Sequence, residues 1–164
     1  MSFQTTDLCD ANEDAITAGR LRILAPILRH YGGRKRFAGP ATTLKVFEDN
    51  SFVRKMLEQP GYGRVLVIEG AGSLRCALLG DQLAEMAMRN SWAGVVVHGC
   101  IRDSLAIATL DLGVMALATH PQKSVKRNVG EIDVTISFGG IRIKPGEWVY
   151  ADEDGLLVSE SALN

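Results

Sequence analysis

Two short motifs, Gly80-Asp81 and Arg102-Asp103, hold most of the chemistry this chain can offer. Two carboxylates brought together suit a hard divalent cation, and an arginine beside them suits an anionic substrate. Twenty residues separate the motifs, and their pattern says how the gap is crossed. Asp81 opens a helical run, Gln82-Leu83-Ala84-Glu85-Met86-Ala87-Met88-Arg89-Asn90. A helix of that length carries the chain ~15 Å away. Trp92-Ala93-Gly94 reads as a turn, and Val95-Val96-Val97-His98 as a buried, β-branched strand. About five strand residues return ~17 Å. The excursion nearly cancels, so the sequence predicts that Arg102-Asp103 arrives beside Gly80-Asp81.

The run Gly70-Ala71-Gly72-Ser73-Leu74-Arg75-Cys76-Ala77-Leu78-Leu79-Gly80-Asp81, followed by Asn90-Ser91-Trp92-Ala93-Gly94-Val95-Val96-Val97-His98-Gly99-Cys100-Ile101-Arg102-Asp103, resembles the RraA-like family. That family includes metal-dependent 4-hydroxy-4-methyl-2-oxoglutarate aldolases and the regulators of ribonuclease E. The resemblance extends from Thr6-Asp7-Leu8-Cys9-Asp10 through Phe47-Glu48-Asp49-Asn50 to Tyr150-Ala151-Asp152. It implies one α/β domain over residues 1–164, a compact β/β/α swivelling-domain type with a mixed sheet. It implies a homotrimer, or a hexamer, with sites at subunit borders. The activity implied is a class II aldolase, a lyase that cleaves 4-hydroxy-4-methyl-2-oxoglutarate to two pyruvates. The roles implied are metal ligation by Asp103, substrate contacts at Gly80, Asp81, Gln82, Leu83 and Arg102, and catalysis by Arg102 and Asp81. Family aldolases commonly carry an acidic residue three positions after that aspartate, whereas Ser104-Leu105-Ala106 supplies none.

Each residue also has a reading without function. Asp103 could simply cap a helix beginning near Ser104, Arg102 could form a surface salt bridge, and Asp81 could pair with a helix dipole. As a functional set, the first N–H groups after Gly80 lack helical partners and form an anion cradle, and Gly80 lets the backbone approach a ligand closely. Arg102 would hold a 2-oxo acid carboxylate bidentately, and Asp81 would hold a water that moves protons. Oxygen donors with few protein ligands point to magnesium or manganese. Aldol cleavage of this substrate leaves pyruvate enolate, as does loss of carbon dioxide from oxaloacetate. A secondary oxaloacetate decarboxylase activity is therefore expected. The rival function is a noncatalytic protein that binds and inhibits ribonuclease E. Such regulators tend to lack the carboxylate after the arginine, and Asp103 is present.

Elsewhere the residues read quietly. Gly70-Ala71-Gly72-Ser73 lacks the Lys-Ser/Thr of a phosphate loop and reads as a tight loop lining the site. Arg75 reads as an exposed residue or else a second anion contact, His98 as a satisfied core histidine, Trp92 as packing and His120 as a loop residue. Cys9, Cys76 and Cys100 form no CxxC pair and read as reduced, packed thiols. The net charge of −1 argues against direct nonspecific nucleic-acid binding, although Lys123 to Arg127 forms a local basic patch. No apolar run approaches a membrane span, and the first residues carry no signal core, so the cytoplasm is the expected location.

The remaining elements follow from pattern. A first helix is predicted over about Asp7 to Ala15, capped by Thr5 or Thr6, and a second over Phe52 to Gln59, capped by Asn50 or Ser51. Strands are predicted at Ala41 to Phe47, Val65 to Ile68, Val114 to Thr119, Val134 to Phe138, Ile141 to Ile143, Trp148 to Tyr150 and Leu156 to Val158. Turns are predicted at Gly139-Gly140, Pro145-Gly146 and Asp154-Gly155.

Overall fold

A computed structural model of the chain describes residues 2–163. A mixed sheet runs through its centre. Four parallel strands form the middle: β3 (Phe37–Lys45), β4 (Val65–Glu69), β6 (Gly94–Ile101) and β7 (Gly113–Thr119). Antiparallel strands extend both flanks. On one side β11 (Trp148–Asp152) pairs with β3, followed by β12 (Gly155–Ser159) and β1 (Leu21–Ile23); on the other, β2 (Arg29–His30) pairs with β7. Two short strands attach locally: β5 (Ala77–Leu79) lies parallel to the end of β6, and β8 (Glu131–Ile132) pairs with β3.

Both faces of the parallel strands are covered, which is why Val95, Val96 and Val97 are all apolar and all buried. One face packs under α3 (Ser51–Leu57), α4 (Asp81–Arg89) and α5 (Ser104–Ile107) through Leu57, Leu83, Ala84, Ala87 and Ile107. The other packs under the hairpin of β9 (Ile136–Phe138) and β10 (Ile141–Ile143) through Val67, Val96, Phe138 and Ile143. The layers are therefore helix, sheet, hairpin, which is the β/β/α arrangement expected. Each buried branched or aromatic side chain contributes about 1.5–3 kcal/mol against the entropy of ordering.

The N-terminal helix differs from expectation. It breaks at Asn12 into α1 (Thr5–Ala11) and α2 (Glu13–Thr17), and no threonine caps it. Thr5 instead donates its N–H and hydroxyl to the buried Asp152 carboxylate, at 2.7 and 2.6 Å. A long-range anchor to β11 thus replaces the local cap. The start of α3 is also anchored from outside, because neither Asn50 nor Ser51 caps it through its own side chain. Ser51 donates its N–H and hydroxyl to Asp49.

Candidate active site

The predicted excursion closes. The chain leaves β5 at Leu79, runs through α4, turns at Trp92 and returns along β6. Pairing of β5 with β6 brings the two motifs together, and the Arg102 N–H donates to the Leu79 carbonyl at 2.9 Å. The Asp81 N–H, at the first residue of α4, donates to Asp103 Oδ2 at 3.2 Å. Helix α4 forms because Leu83, Ala84 and Ala87 give it one buried stripe. It stops at Asn90, and Ser91 follows with a φ of 63°.

Asp103 stands at the N-cap position of α5, but its carboxylate makes no capping bond. It turns instead to the α4 terminus. Its backbone is left-handed, with a φ of 57° and ψ of 39°. That conformation is uncommon for a residue with a side chain, although aspartate tolerates it better than most. Arg102 Nε lies 3.8 Å from Asp103 Oδ2, and both side chains remain about 40% exposed (39% and 41%). Both are accessible to a ligand. Asp81 Oδ1 accepts the Gln82 N–H at 2.7 Å. Gly80 allows the junction: a Cβ there would stand 2.8 Å from Asp103 Oδ2.

A cavity of about 150 Å3 opens at this junction. All six predicted site residues line it: Gly80, Asp81, Gln82, Leu83, Arg102 and Asp103. The side chain of Leu83 is buried in the core, so only its backbone is available to a ligand. The volume suits a small organic acid and not a nucleotide. Sequence reasoning missed Arg54, from α3, and Lys123 and Lys126, from the segment between β7 and β8, all of which also line the cavity. Four cations thus face two carboxylates, a balance that favours an anionic ligand. The available signal was the basic run around Lys123, which the sequence placed nowhere in particular.

Among the described residues no trio of His, Cys, Asp or Glu side chains comes together as a closed metal cage. The donor set at Asp103 fits a different kind of ion. A hydrated magnesium or manganese ion takes one or two carboxylates and keeps several waters. The Asp103 side chain, 41% exposed, and Asp81 line the same cavity and offer carboxylate oxygens of that kind, and nothing soft. Burial pushes the Cys100 thiol up, and burial with Glu48 nearby does the same at Cys76, so neither stands ready as a thiolate.

The quieter residues fall mostly as read. His98 Nδ1 pairs with Glu69 at 2.6 Å and its ring stacks on Phe138 at 4.7 Å. Trp92 is buried and donates Nε1–H to the Gln59 carbonyl. Arg75 is exposed and forked onto Glu48. The Gly70-Ala71-Gly72 loop does not line the cavity. Its Gly70 and Gly72 N–H groups both donate to the His98 carbonyl, which holds it against β6. It leads into β5 rather than into a helix, so it cannot cradle a dinucleotide phosphate. No helix among the described residues is long and apolar enough to cross a membrane.

Comparison with known proteins agrees with this architecture. The family described as RraA-like, Aldolase/RraA, matches residues 5–158. A Burkholderia multivorans protein named "Putative 4-hydroxy-4-methyl-2-oxoglutarate aldolase" is 61% identical over 99% of both chains. A solved structure of "the RNA-processing inhibitor RraA from Thermus thermophilis" superposes with a TM-score of 0.93 at 45% identity, covering 100% of this chain and 96% of that one. A Geobacillus kaustophilus structure titled S-adenosylmethionine: 2-dimethylmenaquinone methyltransferase gives 0.91 at 47% identity, covering 98% of this chain and 97% of that one. With its motifs joined at one cavity and this likeness running along its whole length, the chain belongs to the RraA-like family.

Proposed function

We propose that this protein is a divalent-metal-dependent aldolase that cleaves 4-hydroxy-4-methyl-2-oxoglutarate into two pyruvates. The observation that carries the reading is the Asp103 carboxylate, turned away from its capping role and held at the α4 N-terminus beside Arg102. The name borne by relatives at about 60% identity supports it.

Asp103 would hold magnesium or manganese, with Asp81 orienting a water of its shell. When bound, the ion supplies positive charge at the 2-oxo end of the substrate. The Arg102 guanidinium binds the adjoining carboxylate and offsets charge on the enolate formed when the C3–C4 bond breaks. Asp81 positions the water that takes the C4 hydroxyl proton. The Leu83 N–H lies where a helix start favours an anion, while the Gln82 N–H is held by Asp81 Oδ1 and would have to leave it to meet a substrate. Arg54, Lys123 and Lys126 line the same cavity and would meet the second carboxylate that this substrate carries. Oxaloacetate, also a dianion yielding pyruvate enolate, loses carbon dioxide by the same route as a side reaction.

The protein works in the cytoplasm as a homotrimer or hexamer in this reading. Leu105, two residues beyond Asp103 and 88% exposed, is an apolar side chain that suits a subunit border next to the site. A second reading is favoured by the RNA-processing inhibitor whose structure this chain matches: a regulator that binds ribonuclease E. Pyruvate release from 4-hydroxy-4-methyl-2-oxoglutarate decides between them, measured with magnesium and with EDTA for the wild type and Asp103→Ala. Metal-dependent release lost in the variant is expected. No release by the wild type, with oxaloacetate also untouched, sinks the enzyme reading and turns the search to ribonuclease E binding.

A further inference from the structure

Two of the three cations that sequence reasoning missed ride on a segment with little structure of its own. Residues 120–130 join β7 to β8 with no helix or strand, and most of their side chains are exposed. An isolated bridge from Ala77 to Lys123 and a bond from the Ala77 N–H to the Gln122 carbonyl hold the near end. The far end is held by side chains. Asp49, 1% exposed, accepts the N–H groups of Arg127 at 2.9 Å and Val129 at 3.1 Å on Oδ2. Its Oδ1 accepts the Ser51 N–H at 2.8 Å and the Ser51 hydroxyl at 2.6 Å. Ser124 Oγ accepts the Asn50 N–H at 3.1 Å, and Ser51 Oγ accepts the Asn128 N–H at 3.3 Å.

One buried carboxylate therefore joins two pieces of chain that meet nowhere else in regular structure. Through Ser51 it fixes the start of α3, which carries Arg54 one turn later. Through Arg127 and Val129 it fixes the strap that carries Lys123 and Lys126. All three cations line the cavity, and Asp49 does not. Burial opposes the charge on Asp49, but the bonds from Ser51, Val129 and Arg127 outweigh it and hold the carboxyl below its ordinary value. The carboxylate is thus fully charged at neutral pH, when all four acceptor bonds are made.

We propose that Asp49 is a positioning residue for the cationic rim of the site: it ties the 120–130 strap to α3 so that Arg54, Lys123 and Lys126 converge on the carboxylate of a dianionic substrate that lies away from Asp103. The inference rests on the aldolase reading for its substrate, but its structural half does not. An asparagine at this position has one acceptor oxygen. If that oxygen stays on Ser51, the amide NH2 faces the N–H groups of Arg127 and Val129, and donor meets donor. The strap then loses its far tether while Asp81, Arg102 and Asp103 stay in place.

The test compares Asp49→Asn with the wild type in magnesium. KM for 4-hydroxy-4-methyl-2-oxoglutarate should rise at least about tenfold with kcat within about threefold, since the lost interaction is with the remote carboxylate. Inhibition by pyruvate, which has no second carboxylate, should shift less than about twofold. In a Lys123→Gln/Lys126→Gln background the same Asp49→Asn change should move KM less than about twofold, because the two cations on the strap it tethers are already gone and Arg54 keeps its place while the asparagine oxygen stays on Ser51. A KM rise that persists in that background, or an equal loss for pyruvate, overturns the proposal in favour of a merely structural Asp49. Hydrogen exchange on the metal-free protein gives an independent arm: the Arg127 and Val129 amides should exchange at least about tenfold faster in the variant. Unchanged exchange there overturns the tether whatever the catalysis, whereas faster exchange in an inactive wild-type background leaves the tether standing and sinks only the aldolase reading. Should Asp49→Asn fail to fold, Ser124→Ala cuts another of the strap's tethers and must show the same KM-selective loss at smaller size.

Discussion

Gly80→Ala should separate the chemistry of this protein from its stability. Gly80 has an extended backbone, with φ −124° and ψ −172°, that any residue adopts. The added methyl therefore meets no backbone strain, and its one serious conflict is with Asp103 Oδ2, 2.8 Å from the ideal Cβ position. Arg102 Cγ and Nε follow at 3.5 Å, an ordinary contact. A carbon and an oxygen in van der Waals contact stand roughly 3.3–3.5 Å apart. Asp103 must then swing its carboxylate by roughly half an ångström, which a side-chain rotation provides cheaply. The expected loss of stability is under about 1 kcal/mol, or a Tm shift within about 4 °C at this size. The same rotation breaks the Asp81 N–H contact and moves the carboxylate off its direction. A displacement of an ångström at a reacting centre costs on the order of a hundredfold, so half of that predicts a fall of roughly tenfold or more in kcat/KM, about 1.4 kcal/mol at the transition state. Pyruvate release against substrate concentration, manganese affinity by calorimetry and thermal unfolding measure the three quantities. A variant that folds normally and binds manganese and cleaves substrate like the wild type would refute the placement of the metal on Asp103.

Three further outcomes follow from the same geometry. Arg102→Lys keeps the charge but loses the planar fork, and should cut kcat/KM by roughly a hundredfold with Tm unchanged, read from steady-state kinetics and calorimetry. Asp103→Asn should abolish metal-dependent release, yet leave the urea midpoint equal to or above that of the wild type, because asparagine tolerates the left-handed backbone as well as aspartate does. At Asp152, burial opposes the charge, but bonds from Thr5 and Asp154 outweigh it and hold the carboxyl below its ordinary value. A depressed folded pKa means stability that is present above the unfolded value near 4 and is lost as pH falls through the folded one. Urea midpoints should therefore drop below about pH 4 in the wild type, and the drop should be shallower in Asp152→Asn, whose midpoint at pH 7 is already lowered.

The parts of this molecule that could be read from sequence are those whose determinants are local. A short β-branched run with no polar interruption reads as a strand buried on both faces, and Val95 to Val97 are that. The Gly139-Gly140 and Asp154-Gly155 turns declare their hairpins by backbone freedom alone. The meeting of Asp81 with Asp103 was legible because helix rise and strand rise nearly cancel over one excursion. What escaped has non-local causes. Thr5 looks like a cap until Asp152, 147 residues later, claims its hydroxyl. Leu21 to Ile23 is a strand because β12 offers it an edge, and three residues alone carry too little pattern to say so. Lys123 and Lys126 read as a basic patch because the carboxylate that aims their segment at the site lies more than seventy residues earlier. The Gly70 loop was expected to line the site, but the His98 carbonyl holds it against β6, and it does not reach the cavity.

The backbone at Asp103 bears on the choice between enzyme and pure binding protein. A left-handed residue with a side chain costs about 1 kcal/mol relative to glycine, and the fold keeps one here between the last residue of β6 and the first turn of α5. If the turn were only a connection, glycine would make it with less strain, and a capping serine or threonine would satisfy the start of α5 better than a carboxylate that makes no cap. The Asp103 carboxylate meets the α4 N-terminus and the Arg102 guanidinium, where the two motifs have been brought together. An anionic oxygen held exposed, uncapped and on a strained backbone among four cations is arranged for something that arrives from solvent. In the proposed reading that arrival is a hydrated cation carrying a small 2-oxo acid, and a loss of metal-dependent pyruvate release in Asp103→Ala is the result that bears it out.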